Sequence, residues 1–360
     1  MAVQQRRKTG ASDDTRSPLA IDLALQGGGA HGAFTWGVIE RVLEEPWLSV
    51  ESISGTSAGA MNAVVLAYGY TLDGVAGATA ALETFWRRVS DAARYSPFQR
   101  TPLDVMTGNW SLDNSSAYVF FDLMSRLFSP YEINPANINP LRDILIESID
   151  FEVLKRSPIK LFINATNVRT GLPRVFRNAD LSADVILASA CLPLLHQAIE
   201  IDGDPYWDGG FSGNPLLGPL VAESVARDVL LVQVNPIERG GVPKTAREIL
   251  NRMNEISFNA SLKKELRAIA VFQRTLADSG QAPHELAWAK DWAEVRLHRI
   301  TTPRMIELNA SSKLNAEWAF LTMLRDDGRA SMEQFLADHS DDLGTRPTFD
   351  IANLLDTVLQ

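Results

Sequence analysis

The sequence predicts an α/β fold organised around a mainly parallel sheet, and two observations carry that expectation. A short apolar run leading into a glycine-rich turn and then a helix occurs twice within the first 70 residues. Further β-rich runs follow at Ile159–Val168, Arg174–Arg177 and Asp228–Val234. Strand, turn and helix in tandem is the pattern of parallel strands joined by crossover helices.

Taken in order, residues 1–18 begin with basic side chains, but a polar Thr-Gly-Ala-Ser-Asp-Asp stretch stands where a signal peptide has its apolar region, so this segment is expected to be a disordered tail. Ile21–Gln26 is the first strand, Gly27–Gly29 the first turn and Ala33–Leu43 the first helix. Val50–Ser54 is the second strand; it runs into Gly55-Thr56-Ser57-Ala58-Gly59 and a small apolar helix, Ala60–Tyr68. Residues 95–140 look like an insertion, with Phe98, Trp110, Tyr118, Phe120, Phe121, Phe128 and Tyr131 set among Pro and Asn residues and one helix near Ala117–Phe128. Past Pro236, a Gly-Gly-Val-Pro turn precedes a long helical stretch, Lys244–Ala277. The remainder is helical apart from a strand-like Val295–Ile300. The chain therefore divides into a tail (1–18), a core domain (19–236) and a mostly helical C-terminal extension (237–360).

The 360 residues are 46% hydrophobic and 22% charged, enough for one large core. A net charge of −10 argues against nucleic acid, whose phosphates need a basic face. It also disfavours electrostatic docking on anionic lipid, a local basic patch aside. The single cysteine, Cys191, forms no internal disulfide, which fits a reducing cytoplasm. The longest apolar run, Val185–Leu195, is interrupted by Ser189 and Pro193 and falls short of the roughly 20 residues of a membrane-spanning helix.

Gly-x-Ser-x-Gly between a strand and a helix has a mechanical meaning. The serine occupies a strained turn that only small neighbours tolerate, here Gly55 and Gly59, and its hydroxyl is left exposed. The Ala58 amide follows the serine at the start of a helix, where it is placed to donate to a developing oxyanion. Taken alone, the same five residues also describe a glycine turn with Ser57 as a helix cap. Upstream, Gly27-Gly28-Gly29-Ala30-His31-Gly32 closes the first strand and opens a helix, so its amides converge on one anion. A dinucleotide-binding reading requires an acidic residue at the end of the next strand. Glu51 has the right spacing but sits before the strand has ended, and an oxyanion hole fits better.

A serine nucleophile needs a base. The five histidines, His31, His196, His284, His298 and His339, include none in a compelling setting. Tyr206-Trp207-Asp208-Gly209-Gly210 places a carboxylate after two aromatics and before two glycines. A free carboxylate near pKa 3.9 is a poor base, so this role requires desolvation and a hydrogen bond to the serine. A turn residue is the plainer alternative for Asp208.

These three motifs in this order resemble the patatin-like phospholipases, over roughly residues 20–236. Ala60–Asn62 and Ala190-Cys191-Leu192-Pro193 are similar to the family too. The resemblance implies a three-layer α/β/α core with a C-terminal helical extension. It further implies a serine acyl-ester hydrolase with Ser57 as nucleophile, Asp208 as general base in a Ser–Asp dyad without histidine, and Gly27, Gly28, Gly29 and Ala58 as the oxyanion hole. Gly32, Gly55, Gly59, Gly209 and Gly210 are then the structural glycines of the motifs. No metal or cofactor is required, and the partner is a lipid or other acyl ester, with transient contact to a membrane surface. Phospholipase A or lysophospholipase activity is the leading expectation, and an intracellular polyester or thioester hydrolase with the same dyad is the neighbouring one. Where many relatives carry Arg or Lys in the glycine loop this chain has His31, to which no electrostatic role transfers. Two other classes stand against this reading: a Ser–His–Asp hydrolase using His196, and a non-catalytic lipid-binding protein. The aromatic stretch is expected to form a lid or acyl-chain pocket wall, with Phe120 and Phe121 in it; core packing is the alternative.

Overall fold

A computed structural model describes residues 16–279 and 287–352, so the expected tail lies outside the described residues except for 16–18. The elements in chain order are β1 (Leu19–Leu25), α1 (Gly32–Leu43), β2 (Leu48–Gly55), α2 (Ala58–Ala93), α3 (Pro102–Thr107), α4 (Ser116–Leu127), α5 (Pro130–Ile133), α6 (Pro140–Ser148) and α7 (Phe151–Leu154). Then come β3 (Lys160–Asn167), β4 (Pro173–Phe176), α8 (Ala183–Ser189), β5 (Ile199–Ile201), β6 (Asp204–Asp208), α9 (Gly218–Glu223) and β7 (Asp228–Val232). The chain closes with α10 (Ala246–Ser279), α11 (Ala287–Glu294), β8 (Arg296–Ile300), α12 (Arg304–Glu307) and α13 (Trp318–His339).

The sheet runs β5-β6-β3-β2-β1-β7-β8, with β4 added on β3. Its centre, from β3 to β8, is parallel, while β4, β5 and β6 pair antiparallel. Successive strand residues point to opposite faces, and both faces are covered. Ile21, Leu23 and Leu25 of β1 and Leu230 and Val232 of β7 join a core with α1, α2 and α13. Ala24, Phe162, Val229 and Leu231 face the other way, onto Leu220 of α9 and Leu262 and Leu266 of α10. This is the three-layer α/β/α arrangement. Each fully buried Leu or Ile contributes roughly 1.5–3 kcal/mol.

The chain beyond Pro236 is built into all three layers. β8 pairs in parallel with β7 at the sheet edge. α13 crosses α1 so closely that a Cβ at Gly37 would stand 1.8 Å from the Arg325 carbonyl oxygen. The buried Glu40 carboxylate accepts from Arg325 Nε (2.8 Å) and Arg329 Nη1 (3.2 Å) across that contact. Opposite the glycine loop, a short 3-10 turn, Ser311–Leu314, lies between α12 and α13.

The strands and helices expected around the two glycine motifs fall within about two residues of the observed ends, the usual uncertainty of such boundaries. α2 is longer than expected and is interrupted at Asp73–Gly74. The β5–β6 hairpin is new. Its two-residue turn, Asp202-Gly203, has φ of 53° and 81°, the conformation of the primed turns that match strand twist. Strands of three and five residues containing Pro205 are too short for alternation to register, but the Asp-Gly turn was a legible sign. The hairpin makes Asp208 the last residue of a strand in the main sheet, paired with Ala165. Among the described residues, no helix is long and apolar enough to cross a membrane.

Candidate active site

β3 brings the site together. Its first half pairs with β2, Gly55 opposite Ile163, and its end pairs with β6, Ala165 opposite Asp208. Ser57, two residues past the end of β2, and Asp208, at the end of β6, therefore meet at the carboxyl edge of the parallel strands, where ligands of open α/β sheets bind. Two polar side chains of β3 pin both loops. Asn164 Oδ1 accepts from the Thr56 hydroxyl (2.5 Å), and Asn164 Nδ2 donates to the carbonyl of Gly209 (3.0 Å). The Thr166 hydroxyl donates to the Asp208 carbonyl (2.8 Å).

Ser57 has φ 53° and ψ −120°, a conformation that non-glycine residues rarely adopt. Gly59 makes it accessible by letting α2 start against β1: a Cβ there would stand 2.2 Å from the Leu25 carbonyl oxygen. The Ser57 amide donates to Ser189 Oγ at the end of α8 (3.0 Å). The Ser57 hydroxyl neighbours the Asp208 carboxylate and holds its pKa down, and Asp208 Oδ1 accepts from the Gly210 amide (2.7 Å). Asp208 is 1% exposed. Burial pushes its carboxyl up to about 7, against the Gly210 hydrogen bond, the neighbouring Ser57 hydroxyl and the charge of Lys313, which pull it down. Near neutral pH such a group is half ionised and matched to taking a proton.

Of the four amides expected to form an oxyanion hole, one is otherwise engaged. Gly27 N–H donates to Asn214 Oδ1 at 2.6 Å, and a single N–H has no second strong bond to give. The amides of Gly28, Gly29 and Ala58 have no acceptor within the protein among the described residues. Gly27 instead anchors the loop, its carbonyl accepting from Asn235 Nδ2 at 2.6 Å. Beneath it, Gln26 Oε1 takes the amides of Val234 (3.0 Å) and Asn235 (2.9 Å). Gln26, Asn164, Asn214 and Asn235 form a buried amide scaffold that sequence reasoning missed. The available signal was a polar amide closing or following an apolar strand, as in Leu25-Gln26 and Val234-Asn235.

The histidines lie elsewhere. His31 is buried and burial, followed by the charges of Lys313 and Arg239, holds it well below the usual histidine range. Its Nε2 meets Ser312 Oγ at 2.8 Å, and that hydroxyl donates to the Asn309 carbonyl (2.8 Å), so the neutral ring carries its proton on Nε2. His298 pairs with Asp228 (3.0 Å) at the amino end of β7, on the opposite edge of the sheet from Ser57. His339 pairs with Asp342, and His284 lies outside the described residues. His196 is half-buried on the loop after α8, and burial lowers its pKa. Among the described residues, no histidine is hydrogen-bonded to Ser57 or Asp208.

Phe120 is 65% exposed on the outer face of α4, and Phe121 packs on Phe98, ring centroids 5.0 Å apart. An amphipathic helix lying on the surface has this division, and Phe120 stands on its exposed face. The segment carrying them is tied down on both sides of the site. Leu112 N–H donates to Ser311 Oγ (3.1 Å), next to the glycine loop, and Gln197 Nε2 donates to the Asn134 carbonyl (2.9 Å) on the loop leading to β5.

A patatin-like phospholipase family model matches residues 23–221, more than half of the chain. The chain belongs to the patatin-like phospholipase family. As a patatin-like phospholipase it falls in the general class of lipid ester hydrolases. The matched region begins within β1, holds both glycine motifs and Asp208 and ends within α9, while β7, β8 and helices α10–α13 lie beyond it. Among solved structures, the patatin-like chain is similar to VipD from Legionella pneumophila, with 15% identity over 90% of this chain and 67% of that one, at a TM-score of 0.39. It is also similar to the type III effector protein ExoU, with 16% identity over 95% of this chain and 78% of that one, at a TM-score of 0.22. No curated protein matches it.

Proposed function

We propose that this patatin-like protein is a serine hydrolase of phospholipid or lysophospholipid esters, with Ser57 as nucleophile and Asp208 as general base. The observation that carries the reading is the meeting, at the carboxyl edge of the parallel strands, of a serine in a strained strand-to-helix turn and a buried carboxylate whose pKa has risen to about 7. Ser57 Oγ passes its proton to Asp208 as it attacks the ester carbonyl. The Gly28, Gly29 and Ala58 amides receive the negative charge that develops on the carbonyl oxygen, aided by the amino terminus of α2. Asp208 returns the proton to the departing alcohol, and water, activated by the same carboxylate, hydrolyses the acyl-enzyme. Losing one oxyanion donor costs about 3 kcal/mol in such reactions, so the Asn214 and Asn235 anchors of the loop support the rate by holding its amides in place.

Covalent labelling of wild type by a fluorophosphonate, followed by peptide mapping, tests the reading. Label on Ser57, lost in Ser57→Ala and retained in His196→Ala, is the expected result. Labelling that disappears in His196→Ala would restore the Ser–His–Asp alternative.

The lipid-surface contact rests on the exposed apolar residues of α3 and α4. Leu103, Met106, Phe120, Leu123 and Leu127 are each 55–84% exposed, on a segment bound to both flanks of the site. An apolar surface of this kind enters the headgroup region without needing basic charge. Met106→Ser with Phe120→Ser is expected to weaken cosedimentation with phosphatidylcholine vesicles and to lower turnover of vesicle lipid about tenfold. Turnover of a soluble short-chain ester stays as in wild type. Equal loss on both substrates would mean that the residues support the fold and not the surface contact.

A further inference from the structure

The C-terminal segment delivers a cation to the oxyanion loop. Lys313, in the 3-10 turn Ser311–Leu314, lies outside the region matched to the family. Its backbone packs on the loop so tightly that a Cβ at Gly29 would stand 2.4 Å from the Lys313 carbonyl oxygen. Its ammonium donates to Asn235 Oδ1 at 2.7 Å, and Asn235 Nδ2 in turn donates to the Gly27 carbonyl at 2.6 Å. The neighbouring cation, Arg239, is neutralised by Glu255, with Nε 2.8 and 2.9 Å from its two carboxylate oxygens. Lys313 has no such partner: among the described residues, no carboxylate stands within ion-pair distance of it. The cavity that Lys313 lines with His31, Arg239 and Glu255 is about 20 Å³, room for one water and too small for a ligand. His31 is neutral; burial lowers the Lys313 pKa, against the charges of Glu255 and Asp208, which raise it, and its ammonium form in turn pulls the Asp208 carboxyl down.

We propose that Lys313 is a positioning residue of this site, its ammonium holding the Gly27 carbonyl through Asn235 and keeping the loop that carries the Gly28 and Gly29 amides electropositive. The proposal rests on the Ser57–Asp208 reading. A preorganised positive charge near a developing oxyanion favours the transition state over bound ester, and the same charge keeps Asp208 ionised at lower pH. The charged or titratable groups bearing on the pair are Glu255 and Arg239, His31 on the glycine loop, and Cys191 beside Asp208.

The test uses the full chain and a soluble short-chain ester. Lys313→Met is expected to lower kcat about 10- to 100-fold with KM within about twofold of wild type. It also moves the acid limb of the kcat/KM profile to higher pH, because Asp208 loses a favourable charge. Lys313→Gln, which still has a donor for Asn235, reproduces the pH shift and substitutes for the methionine variant if that one does not fold. Lys313→Arg restores most of the rate and the original limb. Wild-type kcat in the neutral variants, or a lower kcat with an unmoved acid limb and no rescue by arginine, overturns the proposal and leaves the dyad standing. Wild type that neither turns over ester nor takes the fluorophosphonate on Ser57 overturns both.

Discussion

Asp208→Asn is expected to lower kcat on esters by about 10⁴-fold and at the same time to raise the melting temperature. The amide keeps the shape of the carboxylate and the acceptor for Gly210 N–H, so the loop between β6 and α9 stays in place. What disappears is the ability to take the Ser57 proton. The stability gain follows from burial. The Asp208 carboxyl is raised from 3.8 to about 7 in the folded protein. Its contribution to stability is fully present below about pH 3.8, declines as the unfolded chain ionises first, and is gone once pH has risen through about 7. A shift of this size corresponds to about 4 kcal/mol. The difference in unfolding free energy between variant and wild type should thus widen from about pH 4 to 7 and then level off. Activity runs the other way: wild-type kcat/KM rises with pH through about 7, and the variant shows no such limb. Denaturant melts at several pH values and a pH–rate profile check both halves. A variant that is both active and no more stable would show that Asp208 is neither the base nor a destabilised carboxylate.

Gly59→Ala is expected to lower kcat/KM by about 10²-fold and to destabilise the protein by roughly 1–3 kcal/mol. One methyl group is added, but it has nowhere to go. Its carbon would stand 2.2 Å from the Leu25 carbonyl oxygen and 2.9 Å from that of Gln26. Both atoms belong to backbone at the end of β1, so no side chain can swing aside. α2 must retreat from the strand, and it carries Ser57 and the Ala58 amide away from Gly28 and Gly29. Nucleophile and oxyanion donors then separate, although every reacting group is still present. The expected signature is a fall in kcat larger than the change in KM, with slower fluorophosphonate labelling and an earlier urea midpoint. An unchanged labelling rate would mean that the turn can relax without disturbing the hole.

Much of this was legible along the chain because the relevant interactions are local. A glycine-serine turn between an apolar strand and a helix has one mechanical meaning, and the strands expected around it form where the apolar runs begin and end. The amphipathic helix around Phe120 was legible too, but not its outward orientation. Which face of a surface helix meets the protein depends on what lies beneath it, here Phe98 and the anchors at Ser311 and Asn134. The hairpin that ends in Asp208 was hidden by its shortness, and the amide scaffold by its dispersion: Gln26, Asn164, Asn214 and Asn235 are spread over more than 200 residues and have no shared spacing.

The order of the motifs by itself determined the α/β class, the serine turn, the glycine loop and Asp208 as the carboxylate to consider, since each is a short stretch whose backbone demands are written in adjacent residues. Only the tertiary structure decided which amides are free to meet an oxyanion, that no described histidine reaches Ser57, and that a lysine 284 residues from Gly29 stands against the loop. Those outcomes depend on burial and on hydrogen-bond partners from distant strands. A donor is available only if nothing else has taken its bond, and a carboxylate is basic only if water has been kept from it; neither condition is a property of the residue alone.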